Sequence, residues 1–159
     1  MKTKAIFFGS FNPFHIGHLN ILRKAENTFG KGNVIIAMGI NPDKFSDIIE
    51  RDLYIEDKEA DAHILSKKIE CEVITYNKFM HQVVETYERL GFNVVIIRGL
   101  RNGKDLDYEM TQMEFVKDFK PNINVVYITC DKELEHISSS AIKKIMDFGG
   151  YEMGKKYLV

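Results

Sequence analysis

AIFFGSFNPFHIGH, residues 5–18, is the stretch that decides the fold of this chain: an apolar run, a loop and the first turn of a helix. The run Ala5–Phe8 has no polar position, which is typical of a strand buried on both faces of a parallel sheet. Gly9 permits a tight exit from that strand, and Pro13 stiffens the loop. Gly17 leaves space where the helix begins, so that a ligand could come close to the backbone. The stretch therefore predicts a strand–loop–helix unit with room for a ligand.

The rest of the chain repeats this alternation of short apolar runs and helical segments. Four further strands are predicted at Val34–Met38, Cys71–Thr75, Val94–Ile97 and Val125–Ile128. Helices are predicted at Gly17–Phe29, within Ile48–Ile69, and at Lys78–Leu90, Lys104–Phe119 and Ser138–Phe148. The repeat predicts a single α/β domain over residues 1–159, because parallel strands need right-handed crossovers. We expect a Rossmann-like, doubly wound sheet of five parallel strands in the order 3-2-1-4-5, with helices on both faces.

One predicted helix, Lys104–Phe119, has a pattern that indicates its buried face. Leu106, Met110, Met113 and Phe119 recur at roughly helical spacing. We expect these four side chains to face the sheet.

Length, composition and charge exclude several classes of protein. The 159 residues are 45% hydrophobic and 28% charged, which is the composition of an ordinary globular domain. A net charge of −1 argues against a strongly basic nucleic-acid-binding protein. No apolar run approaches the ~20 residues of a transmembrane helix, and the apolar stretch near the N-terminus is too short for a secretory signal. Cys71 and Cys130 lack CxxC spacing, so a cytoplasmic protein without disulfides is expected.

The segments that follow strands 1 and 4 are the most unusual in the chain. In the predicted order these strands meet at the topological switch point, where doubly wound sheets bind ligands. His15 and His18 would share a helix face at an N-terminus suited to anions, or one of them would cap the helix and the other lie at the surface. A zinc site is a weaker interpretation, because no third His or Cys lies nearby. Arg98 and Arg101 flank Gly99 and suggest a phosphate clamp, although solvated arginines are the alternative.

Further groups suited to anions follow the other strands. Ser138, Ser139 and Ser140 begin a helix after strand 5 and offer more hydroxyls than one N-cap needs. Lys44 follows strand 2 and is either solvated or a cation on the same rim. Glu109 lies inside the helix after strand 4 and is open to a ligand role. The common property of this rim is anion binding.

The sequence lacks the residue patterns of several other kinds of catalytic and nucleotide-binding site. Asp105 and Asp107 lie in the first turn of a helix, where acidic residues usually complement the helix dipole. No exposed carboxylate pair, Ser-His-Asp order or Cys nucleophile with a base is present. The GxGxxG and GxxxxGK[ST] phosphate loops are absent. A nucleoside triphosphate is therefore an expected ligand, but a Rossmann dehydrogenase or a P-loop kinase is not.

Three motifs resemble one enzyme family. GSFNPFHIGH (9–18) resembles the (T/H)xGH signature of the nucleotidylyltransferase superfamily. IRGLR (97–101) followed by DLDYEM (105–110) more narrowly resembles the phosphopantetheine adenylyltransferases, and HISSSAIKKI (136–145) continues the match. The resemblance runs from Lys4 to Gly150 and is weak between about Phe45 and Ile69.

The resemblance implies transfer of the adenylyl group of ATP to the phosphate of 4′-phosphopantetheine, giving dephospho-CoA and pyrophosphate. By position, it implies His18, Lys44 and Arg98 as catalytic residues and Ser10, Lys44, Met80 and Arg98 as acceptor-binding residues. It implies ATP contacts from Ser10, Phe11, His15, His18, Gly99, Leu100, Arg101, Glu109, Ile137, Ser138, Ser139 and Ser140. Mg²⁺ would arrive with the triphosphate, no nucleic acid or membrane partner is expected, and the family is typically hexameric, which implies a homo-oligomer.

Departures from the family pattern fall mainly on the acceptor side. They are His15 for the usual threonine, Lys78 for an aspartate, Val116 for an asparagine, Leu134 for a tryptophan, a long segment Phe45–Ile69 and a short tail after Gly150. Because HxGH is frequent in enzymes for pyridine mononucleotides, adenylyl transfer to nicotinate or nicotinamide mononucleotide is the alternative. A cytidylyltransferase and a nucleotide-binding regulator without chemistry are further hypotheses. A fragment of a class I aminoacyl-tRNA synthetase is disfavoured, because no KMSKS-like segment or basic surplus accompanies the HIGH sequence.

Overall fold

Five parallel strands form the centre of the molecule in the order β3-β2-β1-β4-β5. The computed structural model describes residues 1–159. The strands are β1 (Thr3–Gly9), β2 (Val34–Gly39), β3 (Glu72–Tyr76), β4 (Asn93–Leu100) and β5 (Asn124–Thr129). The predicted α/β class, the number of strands and the order 3-2-1-4-5 are confirmed.

Helices cover both faces of this sheet, as predicted. They are α1 (Ile16–Phe29), α2 (Ile48–Ile69), α3 (Met80–Arg89), α4 (Gly103–Phe119), α5 (Ser139–Gly149) and α6 (Tyr151–Gly154), with short 3₁₀ helices at Pro42–Lys44, Lys132–Leu134 and Lys155–Tyr157. The core on one face joins β1 and β2 to α1 and α2, and the core on the other joins the sheet to α3 and α4. No helix combines the length and the apolarity needed to cross a membrane.

The buried face of α4 differs from the prediction. Met113 is buried, whereas Met110 is 48% and Phe119 64% exposed. The six residues from Met113 to Phe119 correspond to a separation of about 120° around the helix, so the two side chains cannot share a face. Phe119 instead stacks on His81 of α3, with 5.0 Å between the ring centres.

Strand register brings the two unusual segments together. Phe7 of β1 pairs with Ile97 of β4, and both strands end within three residues of that pair. Gly9 at the end of β1 pairs with Met38 on the other side. The loop after β1 and the RGLR segment therefore meet at the carboxyl edge of the sheet.

Candidate active site

A cavity of about 350 Å³ opens at this edge, between the ends of β1 and β4 and the start of α5. Twelve of the site residues predicted from the sequence line this cavity. They are Ser10, Phe11, His15, His18, Arg98, Gly99, Leu100, Arg101, Glu109, Ile137, Ser138 and Ser139. Three nominated residues, Lys44, Met80 and Ser140, do not line it. The topology thus gathers residues from three separate segments, 7–21, 98–109 and 130–139, into one site.

His15 is the N-cap of α1. Its Nδ1 accepts hydrogen bonds from the backbone N–H of Gly17 at 3.1 Å and of His18 at 3.4 Å. Two of the amides in the first turn of α1 that an anion could have used are therefore already occupied. This corrects the expectation that the N-terminus of α1 is a fully open anion site, because the His15 side chain occupies these two amides.

His18 completes the capping box in the opposite direction. Its Nδ1 accepts a hydrogen bond from the backbone N–H of His15 at 3.1 Å. A neutral imidazole that accepts at Nδ1 carries its proton at Nε2. The Nε2 atom of His18 makes no hydrogen bond within the protein. Because every buried side-chain nitrogen in the structure has a hydrogen-bond partner, Nε2 is not buried. His18 lines the cavity, so its Nε2–H is open to the cavity.

Aromatic packing fixes the orientation of both imidazoles. The rings of His15 and His18 stack with 3.6 Å between their centres. Phe11 meets the His18 ring edge-on at 4.9 Å, and Phe14 lies 5.2 Å from it. The prediction that the two histidines share a face holds. The alternative of a capping and a surface histidine is correct for the cap, which is His15, but His18 is half-buried against the cavity rather than a surface residue.

Both histidines are held in the neutral form. Burial, and to a smaller extent the charge of Arg101, lowers the pKa of His15 from 6.5 to about 4. Burial, followed by the neighbouring His15 and Arg101, lowers the pKa of His18 well below its usual value. At neutral pH the cavity therefore presents neutral N–H donors here rather than imidazolium charges.

Gly17 is required by the His15 ring rather than only by a ligand. A Cβ at this position would lie 2.9 Å from His15 Cε1 and 3.0 Å from its Nδ1. Gly17 also borders the cavity. The space that the sequence suggested for a ligand is thus largely filled by the capping imidazole.

Arg98 and Glu109 form one unit. The guanidinium donates from Nη2 to Glu109 Oε1 at 3.0 Å, from Nε to Glu109 Oε2, and from Nη1 to the carbonyl of Phe8 at 3.0 Å. Both side chains are 14% exposed. Three of the five N–H groups of the guanidinium are thus used, and two remain for a ligand. Separate ligand roles are expected for these two residues from the sequence, but in the structure they pair with each other.

Arg101 is held by the helix that follows it. Its Nε and Nη2 donate to the Asp105 carboxylate at 2.9 and 3.0 Å, and Asp105 also accepts from the Arg101 backbone N–H at 2.8 Å. The interpretation of Asp105 as only a partner of the helix dipole is incomplete, since it fixes the arginine. The Nη1 atom of Arg101 has no hydrogen-bond acceptor within the protein.

The hydroxyl groups of Ser138, Ser139 and Ser140 mostly form hydrogen bonds within the protein. Ser138 is the N-cap of α5, with its Oγ accepting from Ala141 N–H at 3.1 Å. Ser139 Oγ donates to the carbonyl of Pro13 at 3.0 Å, which ties α5 to the loop after β1. Ser140 bonds Ser138 Oγ and is exposed. The expected surplus of free hydroxyls is therefore not found, and the backbone amides of Ser139 and Ser140 are the groups left for an anion.

Sequence reasoning missed several residues of the cavity wall. They are Phe7, Phe8, Ile21, Tyr108 and Cys130. Leu134, which stands out in the sequence only as a departure from the family pattern, also lines the cavity. Tyr108 had a signal, because it lies in the DLDYEM motif beside Glu109, whereas the apolar residues look like ordinary core positions in the sequence.

The cavity has no dedicated metal cage. No three His, Cys, Asp or Glu side chains are grouped so that they could hold a metal ion. The two acidic residues of the wall nearest the arginines, Asp105 and Glu109, are already paired. A metal ion accompanying a triphosphate would suit this arrangement better than one held by the protein alone.

Known proteins match the chain over most of its length. A family model described as cytidylyltransferase-like matches residues 6–145. A phosphopantetheine adenylyltransferase of Mycoplasma mycoides is 36% identical over 145 residues, covering 91% of this chain and 96% of that protein. The phosphopantetheine adenylyltransferase of Rhizobium rhizogenes is 33% identical, covering 93% of this chain and 86% of that protein.

Solved structures agree on the fold. The bifunctional NMN adenylyltransferase/ADP ribose pyrophosphatase of Francisella tularensis has a TM-score of 0.55 at 17% identity, covering 99% of this chain and 44% of that one. TmcAL of Thermotoga maritima has a TM-score of 0.58 at 16% identity, covering 100% of this chain and 53% of that one. At these identities the likeness concerns the fold alone. The family match and the curated relatives go further: the chain belongs to the cytidylyltransferase-like family and, within it, to the phosphopantetheine adenylyltransferases.

Proposed function

We propose that this chain transfers the adenylyl group of ATP to the phosphate of 4′-phosphopantetheine, a step of coenzyme A biosynthesis. A phosphate oxygen of the acceptor attacks the α-phosphorus, the bond from that phosphorus to the β-phosphate oxygen breaks, and pyrophosphate leaves with the electron pair. The products are dephospho-CoA and pyrophosphate. The observation that carries the proposal is that the His15–His18 pair shares one cavity with Arg98 and Arg101, in a chain that is 36% identical to a protein of this name.

His18 is proposed to stabilise the transition state at the α-phosphate. Its Nε2–H opens to the cavity while Nδ1 is fixed by the His15 backbone. A neutral donor suits this task, because the attacking phosphate is already anionic and needs no strong base. Oriented donation to charge that grows in the transition state is the effect that such a group contributes.

The other ATP contacts are proposed for the groups around His18. Arg101 has a free Nη1, and the N-terminus of α5 offers the amides of Ser139 and Ser140 to the β- and γ-phosphates. Ser10 and Phe11 on the β1 loop, Gly99 and Leu100 at the end of β4, and Ile137 before α5 complete the wall. Mg²⁺ enters as part of the ATP substrate.

The acceptor side is proposed to involve Lys44, Ser10, Arg98 and Met80. Ser10 is exposed on the cavity wall, and Arg98 keeps two N–H groups beyond those that Glu109 and Phe8 occupy. Lys44 lies outside the cavity wall on the 3₁₀ helix after β2, at the same edge of the sheet. It would reach the acceptor phosphate from the side opposite Arg101.

The histidine at the first motif position does not by itself favour a pyridine mononucleotide. His15 accepts from helix amides through Nδ1, and the hydroxyl of a threonine is also a good N-cap acceptor. The substitution thus conserves a local structural role. It carries little information about the acceptor.

The test is pyrophosphate release from MgATP with four acceptors: phosphopantetheine, nicotinate mononucleotide, nicotinamide mononucleotide and glycerol 3-phosphate. We expect turnover with phosphopantetheine only. Turnover with a pyridine mononucleotide and none with phosphopantetheine would overturn the proposal. CTP in place of ATP serves as the control for nucleotide choice.

Homo-oligomeric assembly, as a hexamer, and a cytoplasmic location complete the proposal. The first turns of α2 support assembly, since Ile48, Ile49 and Leu53 are 71%, 67% and 56% exposed. Light scattering on the purified protein tests it. A monomer at micromolar concentration would contradict it.

A further inference from the structure

An aromatic side chain of the long helix α2 holds the loop that carries Lys44. Tyr54 Oη accepts a hydrogen bond from the backbone N–H of Asn41 at 3.1 Å. The Lys44 ammonium lies 4.3 Å from the centre of the Tyr54 ring and 5.2 Å from that of Phe45. The two rings are 5.1 Å apart between centres. Phe45 and Tyr54 thus form an aromatic cage on one side of the ammonium.

The cage holds the lysine without neutralising it. Lys44 makes no ion pair, although its neighbour Asp43 pairs with Arg51 of α2 at 3.2 Å. The face of an aromatic ring attracts a cation through its quadrupole and leaves the full positive charge in place. Since Lys44 is exposed, the side of the ammonium away from the rings is open to an anion.

We infer that Tyr54 is a positioning residue that preorganises Lys44 for the acceptor phosphate. Ordering the many rotamers of a free lysine opposes binding, and the cage imposes that order before the substrate arrives. The hydroxyl fixes the backbone of the loop at the same time. The inference rests on the proposed adenylyl transfer, and it gives a role to the segment 45–69, which the sequence could not interpret.

Three variants test the inference kinetically. Tyr54→Leu removes ring and hydroxyl, and should lower kcat/KM for phosphopantetheine about 5-fold, with the KM for ATP unchanged within about twofold. Tyr54→Phe keeps the ring and should retain most of the activity. Glu56→Ala, an exposed change in the same helical turn, is the matched control and should match the wild type.

A double mutant separates positioning from general damage to α2. In a Lys44→Met background, Tyr54→Leu should cause no further loss, because the group that it positions is gone. An equal loss in both backgrounds would overturn the inference. So would wild-type kcat/KM in Tyr54→Leu itself.

Nuclear magnetic resonance provides a readout that needs no turnover. The ε-CH₂ protons of Lys44 should be shifted upfield by the Tyr54 ring in the wild type and in Tyr54→Phe, and should lose the shift in Tyr54→Leu. Unshifted Lys44 protons in the wild type would overturn the inference without any variant. Absence of turnover with phosphopantetheine alongside a shifted Lys44 would instead count against the proposed function.

Discussion

Acidification should destabilise this protein through the buried cap of α1. His15 is 5% exposed, and its pKa is lowered from 6.5 to about 4 by burial and then by Arg101. Between these values the unfolded chain binds a proton that the folded chain does not. Stability is therefore complete above about pH 6.5 and decreases as the pH falls toward 4. At pH 5 the loss from this one group amounts to about 2 kcal/mol.

The variant His15→Asn isolates this contribution. Asparagine is a good N-cap and does not titrate, so the cap is kept while the proton linkage is removed. Urea unfolding at pH 7.5 and pH 5, followed by far-ultraviolet circular dichroism at fixed protein concentration, measures the loss of stability. We expect the loss in His15→Asn to be smaller than in the wild type by about 2 kcal/mol.

The control is His63→Asn, which makes the same chemical change on the exposed surface of α2. Equal losses for the wild type and His15→Asn would refute the reasoning. They would mean that the His15 imidazole is not held neutral in the folded protein.

Three further substitutions test the site. His18→Ala should lower kcat by at least ~100-fold with the fold retained by circular dichroism, because a positioned donor to the transition state is lost; near-normal kcat would contradict the role. Gly17→Ala should lower both kcat and stability, since its Cβ would lie 2.9 Å from the His15 ring, and an unchanged enzyme would show that the ring is free to move. Arg101→Ala should mainly raise the KM for ATP. Asp105→Asn is the paired control, because it keeps the arginine but weakens its hydrogen bonds. An effect of Arg101→Ala on the KM for the acceptor alone would mean that Arg101 binds the acceptor and not ATP.

The sequence predicted the fold well because its signals are local. Continuous apolar runs such as Ala5–Phe8 indicate buried parallel strands, and the helices between them indicate crossovers, which together leave few topologies. The prediction that Phe119 of α4 faces the sheet was wrong, because Phe119 does not continue the helical spacing of Met113. Tertiary packing against His81 decides its place.

The composition of the site was also predictable, but the partners within it were not. His15, His18, Arg98 and Arg101 do line one cavity. Spacing alone does not determine in which direction a side chain points. The sequence therefore did not show that Glu109 pairs with Arg98, that Asp105 pairs with Arg101, or that His15 accepts hydrogen bonds from its own helix. For this reason the sequence overstated the number of free anion-binding groups.

In the proposed reaction, this chain forms a bond between a phosphate oxygen of the acceptor and the α-phosphorus of ATP. Phosphorus-31 spectra of a reaction containing MgATP and phosphopantetheine test it directly. We expect a diphosphate that joins the adenylyl phosphorus to the phosphorus of the acceptor, with an equal amount of inorganic pyrophosphate. Formation of ADP, or of AMP with the acceptor phosphate unchanged, would contradict it, because the bond would then have been made at another phosphorus or to water.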